Sequence, residues 1–495
     1  MESSARLYPN KVAVIDEYKQ LTFQEIRNEA VKIARQIKKE CGDIRNEPVA
    51  VYMRKSTACI AAFMGIAYSG NFYCPIDINS PTDRINRIIT ALQPKAVICE
   101  ENMEGDLFRQ IRQISINGIE EEVDDLPEKY YEEVLDVDPL YVLFTSGSTG
   151  QPKGVVISHK GVIDYTEWLA DTFAFDSNTI FGNQAPFYFD NSVLDIYSML
   201  RNGSTMIIIP ERFFSFPRML VDYLTEKKIN TLFWVPSALI TVAHSGVLAT
   251  SELNDLKKVM FCGEVMPNRQ LNIWRYYYPG IMYVNLYGPT EITDVCTYYI
   301  VDREFGDEEP LPIGKACKNT EILVLNDQNE QVKTGETGEL CVRGTCLSMG
   351  YFGDTLRTEE VFVQNPLNKK YKDMIYRTGD LVTYNDRKEI IYICRKDFQV
   401  KHQGHRIELG EIEAAASVIK EVNQSCALYD ENNKKIILVC QTEKSVNEKG
   451  IYIKLKEKLP KYMLPSTIKI INEMPLNPNG KIDRNRLKKE VMTNE

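Results

Sequence analysis

No apolar run in the 495-residue chain approaches the roughly 18 residues that a helix needs to cross a bilayer, so no membrane span is expected. The opening residues, MESSARLYPNK, lack the basic stretch and apolar core of a secretory signal. Basic charge is in deficit: 59 Lys and Arg stand against 69 Asp and Glu, a formal net charge of −10. That balance argues against nucleic acid as a partner, although a local cluster of donors can still hold phosphate in an acidic protein. Histidines number only four, His159, His244, His402 and His405, and none is spaced with cysteines or carboxylates as zinc ligands are. The twelve cysteines include no CxxC pair, and Cys99, Cys341 and Cys440 lie in apolar runs. Free buried thiols in a reducing compartment, hence a cytoplasmic protein, are the expectation. Repeats and long low-complexity linkers are also missing.

What is present is a chain too long for one hydrophobic core, with 44% apolar residues to fill two or more. It is organised around Tyr141 to Gly161, YVLFTSGSTGQPKGVVISHKG. An apolar strand-like piece leads into Thr145, Ser146, Gly147, Ser148, Thr149 and Gly150, with Lys153 close behind. Small side chains, hydroxyls and free backbone N–H groups suit a loop wrapped around phosphate oxygens. It is not the GxxxxGKS/T loop, because Pro152 separates the last glycine from the lysine and Gly154 follows it. A Gly/Ser linker is the bland alternative; apolar strands on both sides argue against it.

From Lys11 to about Pro210 strand-like runs (Val12 to Ile15, Val49 to Tyr52, Phe72 to Pro75, Ala96 to Cys99) alternate with helical stretches such as Phe23 to Glu40. Further strands are expected at Met206 to Ile209, Thr231 to Val235, Val259 to Cys262 and Ile281 to Val284. This rhythm predicts an α/β class with parallel-rich sheets covered by helices. From about Ile313 short strands with Asn-Asp turns predict a small antiparallel, barrel-like piece over 313–396. A small α+β domain over 397–495 is expected to follow the large domain over 1–396.

Six spaced segments resemble the adenylate-forming superfamily of acyl- and aryl-CoA synthetases, nonribosomal peptide adenylation domains and luciferases. They are TSGSTGQPKG (145–154), NLYGPTE (285–291), GELCVRG (338–344), YRTGDL (376–381), RKDFQVKHQGHRIELGEIE (395–413) and NPNGKIDR (477–484). The resemblance spans nearly the whole chain, in the family's order. It implies that Thr145 to Gly150 and Lys153 hold the β- and γ-phosphates of ATP, and that Glu291, with Thr149, holds Mg²⁺. Gly263, Glu264, Asn285, Leu286, Tyr287, Gly288 and Thr290 would line the nucleotide, Tyr287 stacking on adenine. Asp380 would accept the ribose hydroxyls beside Arg395. Lys481 matches the family's catalytic lysine, a mobile cation able to bridge two anions as a carboxylate attacks the α-phosphate. Asp397 matches the hinge at which a mobile C-terminal domain turns between two half-reactions.

The segment Phe189 to Tyr197, FDNSVLDIY, resembles that of amino-acid-activating members, in which Asp190 would pair with the α-ammonium. The alternative is a helix N-cap, a role for which Asp is well suited. Family alignment adds Asn191, Leu194, Ser237, Met260, Cys262, Leu286, Asp294, Val295 and Lys481 as pocket residues. Met260 to Glu264 resembles the segment of D-alanine carrier-protein ligases, whose cysteine crowds the pocket, whereas Asp294 replaces a small apolar residue there. A second acid in the pocket would select a polar or cationic side chain or require another partner. No GGHS- or GGDS-like serine site of a phosphopantetheine carrier follows Arg484, so the thiol acceptor is expected to be a separate protein, and Met1 with a full first strand leads to the expectation of a free-standing enzyme. The resemblance implies activation of a small amino acid by ATP and its transfer to that carrier, in nonribosomal peptide assembly or, alternatively, in teichoic acid D-alanylation. An acyl- or aryl-CoA synthetase is the third reading.

Overall fold

Thr22 starts the first long helix with a reciprocal cap: its hydroxyl accepts from Glu25 N at 3.2 Å, and Glu25 returns a carboxylate to Thr22 N at 2.7 Å. The helix runs Phe23–Cys41, buries Phe23, Ile26, Ala30, Ile33, Ala34 and Ile37 at the expected three- and four-residue spacing, and stops at Gly42 with φ 76°. It packs on helix Thr57–Tyr68 so closely that a Cβ on Gly65 would lie 2.7 Å from Ile33 Cβ. The computed structural model describes residues 1–101, 107–119, 132–146, 151–396, 399–442, 446–475 and 482–492. Their contacts divide the chain into two units, one of Met1–Ile78, Leu92–Leu143 and Gly154–Lys396, the other of Asn79–Ala91, Phe144–Lys153 and Asp397–Glu495.

The first unit holds the large sheets, except that Phe144, Thr145 and Lys153, at the ends of two strands, group with the second. A nine-stranded sheet runs Lys315–Ala316, Thr297–Ile300, Met282–Tyr287, Lys258–Phe261, Thr231–Trp234, Ile180–Asn183, Thr205–Ile208, Val12–Ile15 and Gln20–Thr22. Its interior is parallel, and the pairs at both edges are antiparallel. A six-stranded sheet runs Arg112–Ser115, Ala96–Cys99, Pro48–Tyr52, Phe72–Pro75, Pro139–Thr145 and Lys153–Ser158. Strands such as Ala96–Cys99 are buried throughout, as parallel strands covered on both faces must be. The expected antiparallel piece is a five-stranded sheet of Thr320–Leu325, Thr337–Gly344, Met374–Tyr384, Phe362–Gln364 and Ile390–Arg395.

The second unit contains the hairpin Gln399–His402 and His405–Glu408 and a three-stranded sheet of Val422–Asp430, Lys435–Thr442 and Thr467–Ile471. Helix Leu409–Ser417 ends where Ile419 N turns back onto Ala416 O. Within this unit Arg84 and Glu411, 4% and 1% exposed, form a buried ion pair. Ten of the twelve cysteines are buried and all are free thiols. No helix among the described residues is long and apolar enough to cross a membrane.

Candidate functional site

Four adjacent parallel strands of the first unit, Ile180–Asn183, Thr231–Trp234, Lys258–Phe261 and Met282–Tyr287, end on one side of the nine-stranded sheet. Open α/β sheets bind ligands beyond such carboxyl ends, where loops can diverge. The loops here carry Asp190, Gly263 with Glu264, and Gly288 to Asp294, and Ser237 lies in the first turn of helix Pro236–His244. Ser237 N–H donates to Glu264 Oε2 at 2.9 Å. Gly263 takes φ 95°, and a Cβ there would sit 3.7 Å from Asn191 Nδ2. Asn285 Nδ2 donates to Pro312 O at 2.8 Å, fixing its side chain to the neighbouring loop. After Tyr287 the chain makes a short turn over Thr290–Ile292, then places two non-glycine residues in the left-handed region, Thr293 (φ 54°) and Asp294 (φ 71°). The returning backbone passes so near Gly288 that a Cβ would lie 2.1 Å from Asp294 O.

Asp190 does not cap the helix that follows. Helix Ser192–Asn202 has Asn191 at its N-cap position without a side-chain cap hydrogen bond. Instead Asp190 Oδ2 accepts from Thr290 Oγ1 at 2.5 Å and Oδ1 from Asn191 N at 2.9 Å, which ties the FDNSVLDIY segment to the YGPTE turn. Asp195 of the same segment is a core residue, fully buried against Asn183 Nδ2 at 2.8 Å, and burial pushes its carboxyl up to about 7. Glu291 is fully buried; the Tyr351 hydroxyl donates to its Oε1 at 2.8 Å, and its backbone O accepts from Ser348 N at 2.9 Å. Asp380, 2% exposed, receives the Tyr287 hydroxyl on one oxygen and Arg395 Nη1, at 3.0 Å, on the other. Burial and the nearby Asp380 charge raise the Tyr287 hydroxyl well above its ordinary range, so it stays a donor.

Leu194, Met260, Cys262, Leu286 and Val295 are each at most 2% exposed and share one apolar cluster. Asp294 is set among them at 1% exposure, its Oδ2 accepting from the Tyr165 hydroxyl at 2.7 Å. Burial first, then the charge of Asp190, pushes the Asp294 carboxyl well above the carboxylate range. Tyr165 is placed by helix His159–Phe173, whose N-cap Ser158 accepts from Gly161 N at 3.2 Å.

Thr145, Ser146 and Lys153 fall in the second unit. There the buried Ser146 hydroxyl donates to Arg406 O at 2.6 Å and accepts from Glu408 N at 3.2 Å, so hairpin backbone occupies it. Thr145 Oγ1 is buried without a hydrogen-bond partner, and Lys153 is 8% exposed. Gly147, Ser148, Thr149, Gly150, Asp397 and Lys481 lie outside the described residues.

Residues 1–352 match the family described as AMP-binding enzyme. The chain belongs to this family. Among AMP-binding relatives, a D-alanine–D-alanyl carrier protein ligase of Bacillus licheniformis is 30% identical over 498 residues, 98% of either chain. An L-proline–(L-prolyl-carrier protein) ligase of Pseudomonas fluorescens is 30% identical over 508 residues, 99% of this chain and 98% of that one. The solved structure of PA1221, an NRPS protein containing adenylation and PCP domains, has the same fold, with TM-score 0.86 at 22% identity over 99% of this chain and 83% of that one.

Three tyrosines of the site escaped sequence reasoning. Tyr351, Tyr165 and Tyr141 sit 60, 129 and 153 positions from the acids they meet or feel electrostatically, Glu291 for the first and Asp294 for the others, and no local pattern marks such pairs. Tyr141 lay inside the organising stretch but read only as strand.

Proposed function

We propose that the chain converts a small amino acid and ATP to the aminoacyl adenylate and pyrophosphate, then passes the aminoacyl group to the phosphopantetheine thiol of a separate carrier protein, as a stand-alone adenylation enzyme of nonribosomal peptide assembly. Asp190 carries the amino-acid part of this reading. It is a half-buried carboxylate at the strand ends that caps no helix, bound by Thr290 and the Asn191 N–H, and suited to neutralise an α-ammonium. Likeness along the full length to two carrier-protein ligases supports the transfer step. It leaves the amino acid open, since one is named for D-alanine and the other for L-proline at the same 30% identity.

In the first half-reaction an oxygen of the substrate carboxylate bonds to the α-phosphorus as the bond to pyrophosphate breaks. Asp380, oriented by Tyr287 and Arg395, would take the ribose hydroxyls, and Lys481 would bridge attacking carboxylate and α-phosphate. Thr145 to Gly150 and Lys153 would hold the leaving phosphates. Glu291 and Thr149 would hold Mg²⁺, which fits a site with one buried carboxylate and a hydroxyl because magnesium keeps waters and substrate phosphates as its other ligands. Bound there, the ion would offset the charge on the departing pyrophosphate. In the second half-reaction the carrier thiol bonds to the acyl carbon and AMP departs, with Asp397 as the hinge.

An amino-acid panel in an ATP–pyrophosphate exchange assay tests the reading, and Lys481→Ala should slow exchange by roughly two orders of magnitude or more. Exchange at the wild-type rate in that variant would remove Lys481 from the chemistry. The D-alanine ligase of teichoic acid D-alanylation is the second reading, favoured by the buried Cys262 beside Met260; a strong preference for D-alanine would select it. Thioester formation with free coenzyme A and with no carrier protein would instead favour an acyl- or aryl-CoA synthetase.

A further inference from the structure

Among the buried polar atoms with no hydrogen-bond partner among the described residues are Tyr141 Oη and Asp294 Oδ1, on side chains each 1% exposed. Tyr141 belongs to the same apolar cluster as Cys262, Leu286 and Val295, and after burial and Tyr73 the charges of Asp190 and Asp294 act on its hydroxyl. The other Asp294 oxygen is already satisfied by Tyr165, which leaves Oδ1 as the oxygen available to a ligand. Backbone geometry underlines the point, since Asp294 is held at φ 71°, a conformation disfavoured for a residue with a side chain. Unsatisfied buried groups and local strain are costs that a fold carries where a ligand repays them.

Resting on the amino-acid adenylation reading, we propose that Tyr141 and Asp294 form a polar subsite for the substrate side chain, so that the preferred amino acid is short and carries a hydrogen-bond donor, an amine or a hydroxyl, on its β or γ carbon. An amine donates to Asp294 Oδ1 and Tyr141 Oη together. A hydroxyl donates to the acid and accepts from the tyrosine. An alkyl side chain leaves both unsatisfied, and a carboxylate offers neither group a donor. The apolar residues around the subsite, Cys262 and Val295, limit its size.

The experiment is ATP–pyrophosphate exchange with both enantiomers of serine, homoserine, 2,3-diaminopropionate and 2,4-diaminobutyrate against alanine, valine and proline, followed by the same panel on variants. Wild type should favour one of the donor-bearing amino acids over alanine by about tenfold or more in kcat/KM. Asp294→Ala should move that ratio toward alanine by about tenfold, and Tyr141→Phe in the same direction by less. Asp294→Asn keeps the shape should the alanine variant not fold, and it separates the two donors: amines lose their advantage, hydroxyls keep most of it. A wild-type preference for alanine, valine or proline, or a ratio unmoved in Asp294→Asn and Tyr141→Phe, overturns the subsite and leaves amino-acid adenylation standing. Exchange with no amino acid at all overturns the adenylation reading and the subsite with it.

Discussion

Asp190 and Glu291, the proposed ammonium and magnesium ligands, are each held by a partner that the sequence does not reveal. Thr290 lies beside Glu291 in the chain yet donates to Asp190, one hundred positions away. Replacing Asp190 by Asn would leave a buried ammonium without its countercharge. Losing one member of such a pair costs about 2–5 kcal/mol, so exchange should show KM for the amino acid raised from about 30-fold to several-thousand-fold, with KM for ATP little changed. An equal rise in both constants would count against the assignment. Tyr351 is the second case. Its hydroxyl is the donor to the fully buried Glu291, and a hydrogen bond to a charged group is worth about 1.5–3 kcal/mol. Tyr351→Phe should therefore raise the magnesium concentration needed for half-maximal exchange by about tenfold or more, read by titrating the metal at saturating ATP. The motif residues themselves were legible as a family pattern. Their partners were not, because a tyrosine in a helix or after a turn has no local feature that says which acid it will meet.

At the scale of elements, strands such as Val49 to Tyr52 and Ala96 to Cys99 and the helix from Phe23 were legible, since burial on both faces imposes unbroken apolar runs on the strands and one buried face imposes a three- and four-residue spacing on the helix, whereas the interior strand Ile180–Asn183, with Gly182 in its middle, and the helix His159–Phe173 were not. The edge strands Gln20–Thr22, Thr297–Ile300 and Lys315–Ala316 were not: they are short, partly exposed and antiparallel, so their composition resembles that of loops. Helix Ser192–Asn202 was anticipated only as the helix that Asp190 could cap, and its bounds were not legible within FDNSVLDIY. The glycine in NLYGPTE illustrates how an element boundary and a site coincide. Its missing side chain lets strand Met282–Tyr287 end with the Asp294 backbone pressed against it, where a Cβ would approach Asp294 O to 2.1 Å and Val295 Cα to 2.8 Å. Backbone cannot swing aside as a long side chain can, so Gly288→Ala should cost about 1–3 kcal/mol of stability in urea denaturation and should displace Asp294 and Val295 together. Exchange should then fall even at temperatures where the variant is fully folded. Full activity in a folded Gly288→Ala protein would mean that the turn relaxes without consequence.

For the molecule as a whole, the apolar clusters of the described residues include some drawn from residues up to Tyr392 and others drawn from Val400 onward. That the segments Asn79–Ala91 and Phe144–Lys153 group with the C-terminal part could not be read from the sequence, because the buried pair of Arg84 and Glu411 joins residues 327 positions apart. The second unit also has a distinctive response to acid. His405 stacks on Tyr462 with ring centroids 3.7 Å apart, and burial, followed by the charges of His402 and Arg84, lowers its pKa from 6.5 to about 3. Above pH 6.5 the ring is neutral in both folded and unfolded chains. As pH falls toward 3 the unfolded chain takes up a proton that the folded unit refuses, so stability is lost on acidification. Between pH 7 and 5 this amounts to roughly 1–2 kcal/mol. His402, lowered by burial and Lys434, acts in the same direction, whereas Glu411, raised by burial, opposes it. Comparison with His405→Gln isolates the one ring, since the other groups are common to both proteins. All three tryptophans, Trp168, Trp234 and Trp274, belong to the first unit, so their fluorescence reports its unfolding alone, while far-UV circular dichroism reports both units. Urea curves from the two probes should separate as pH falls from 7 to 5, the dichroism moving to lower urea, and the separation should shrink in His405→Gln. Probes that move together at every pH, or a separation indifferent to the substitution, would show that the units unfold as one or that His405 titrates normally in the fold.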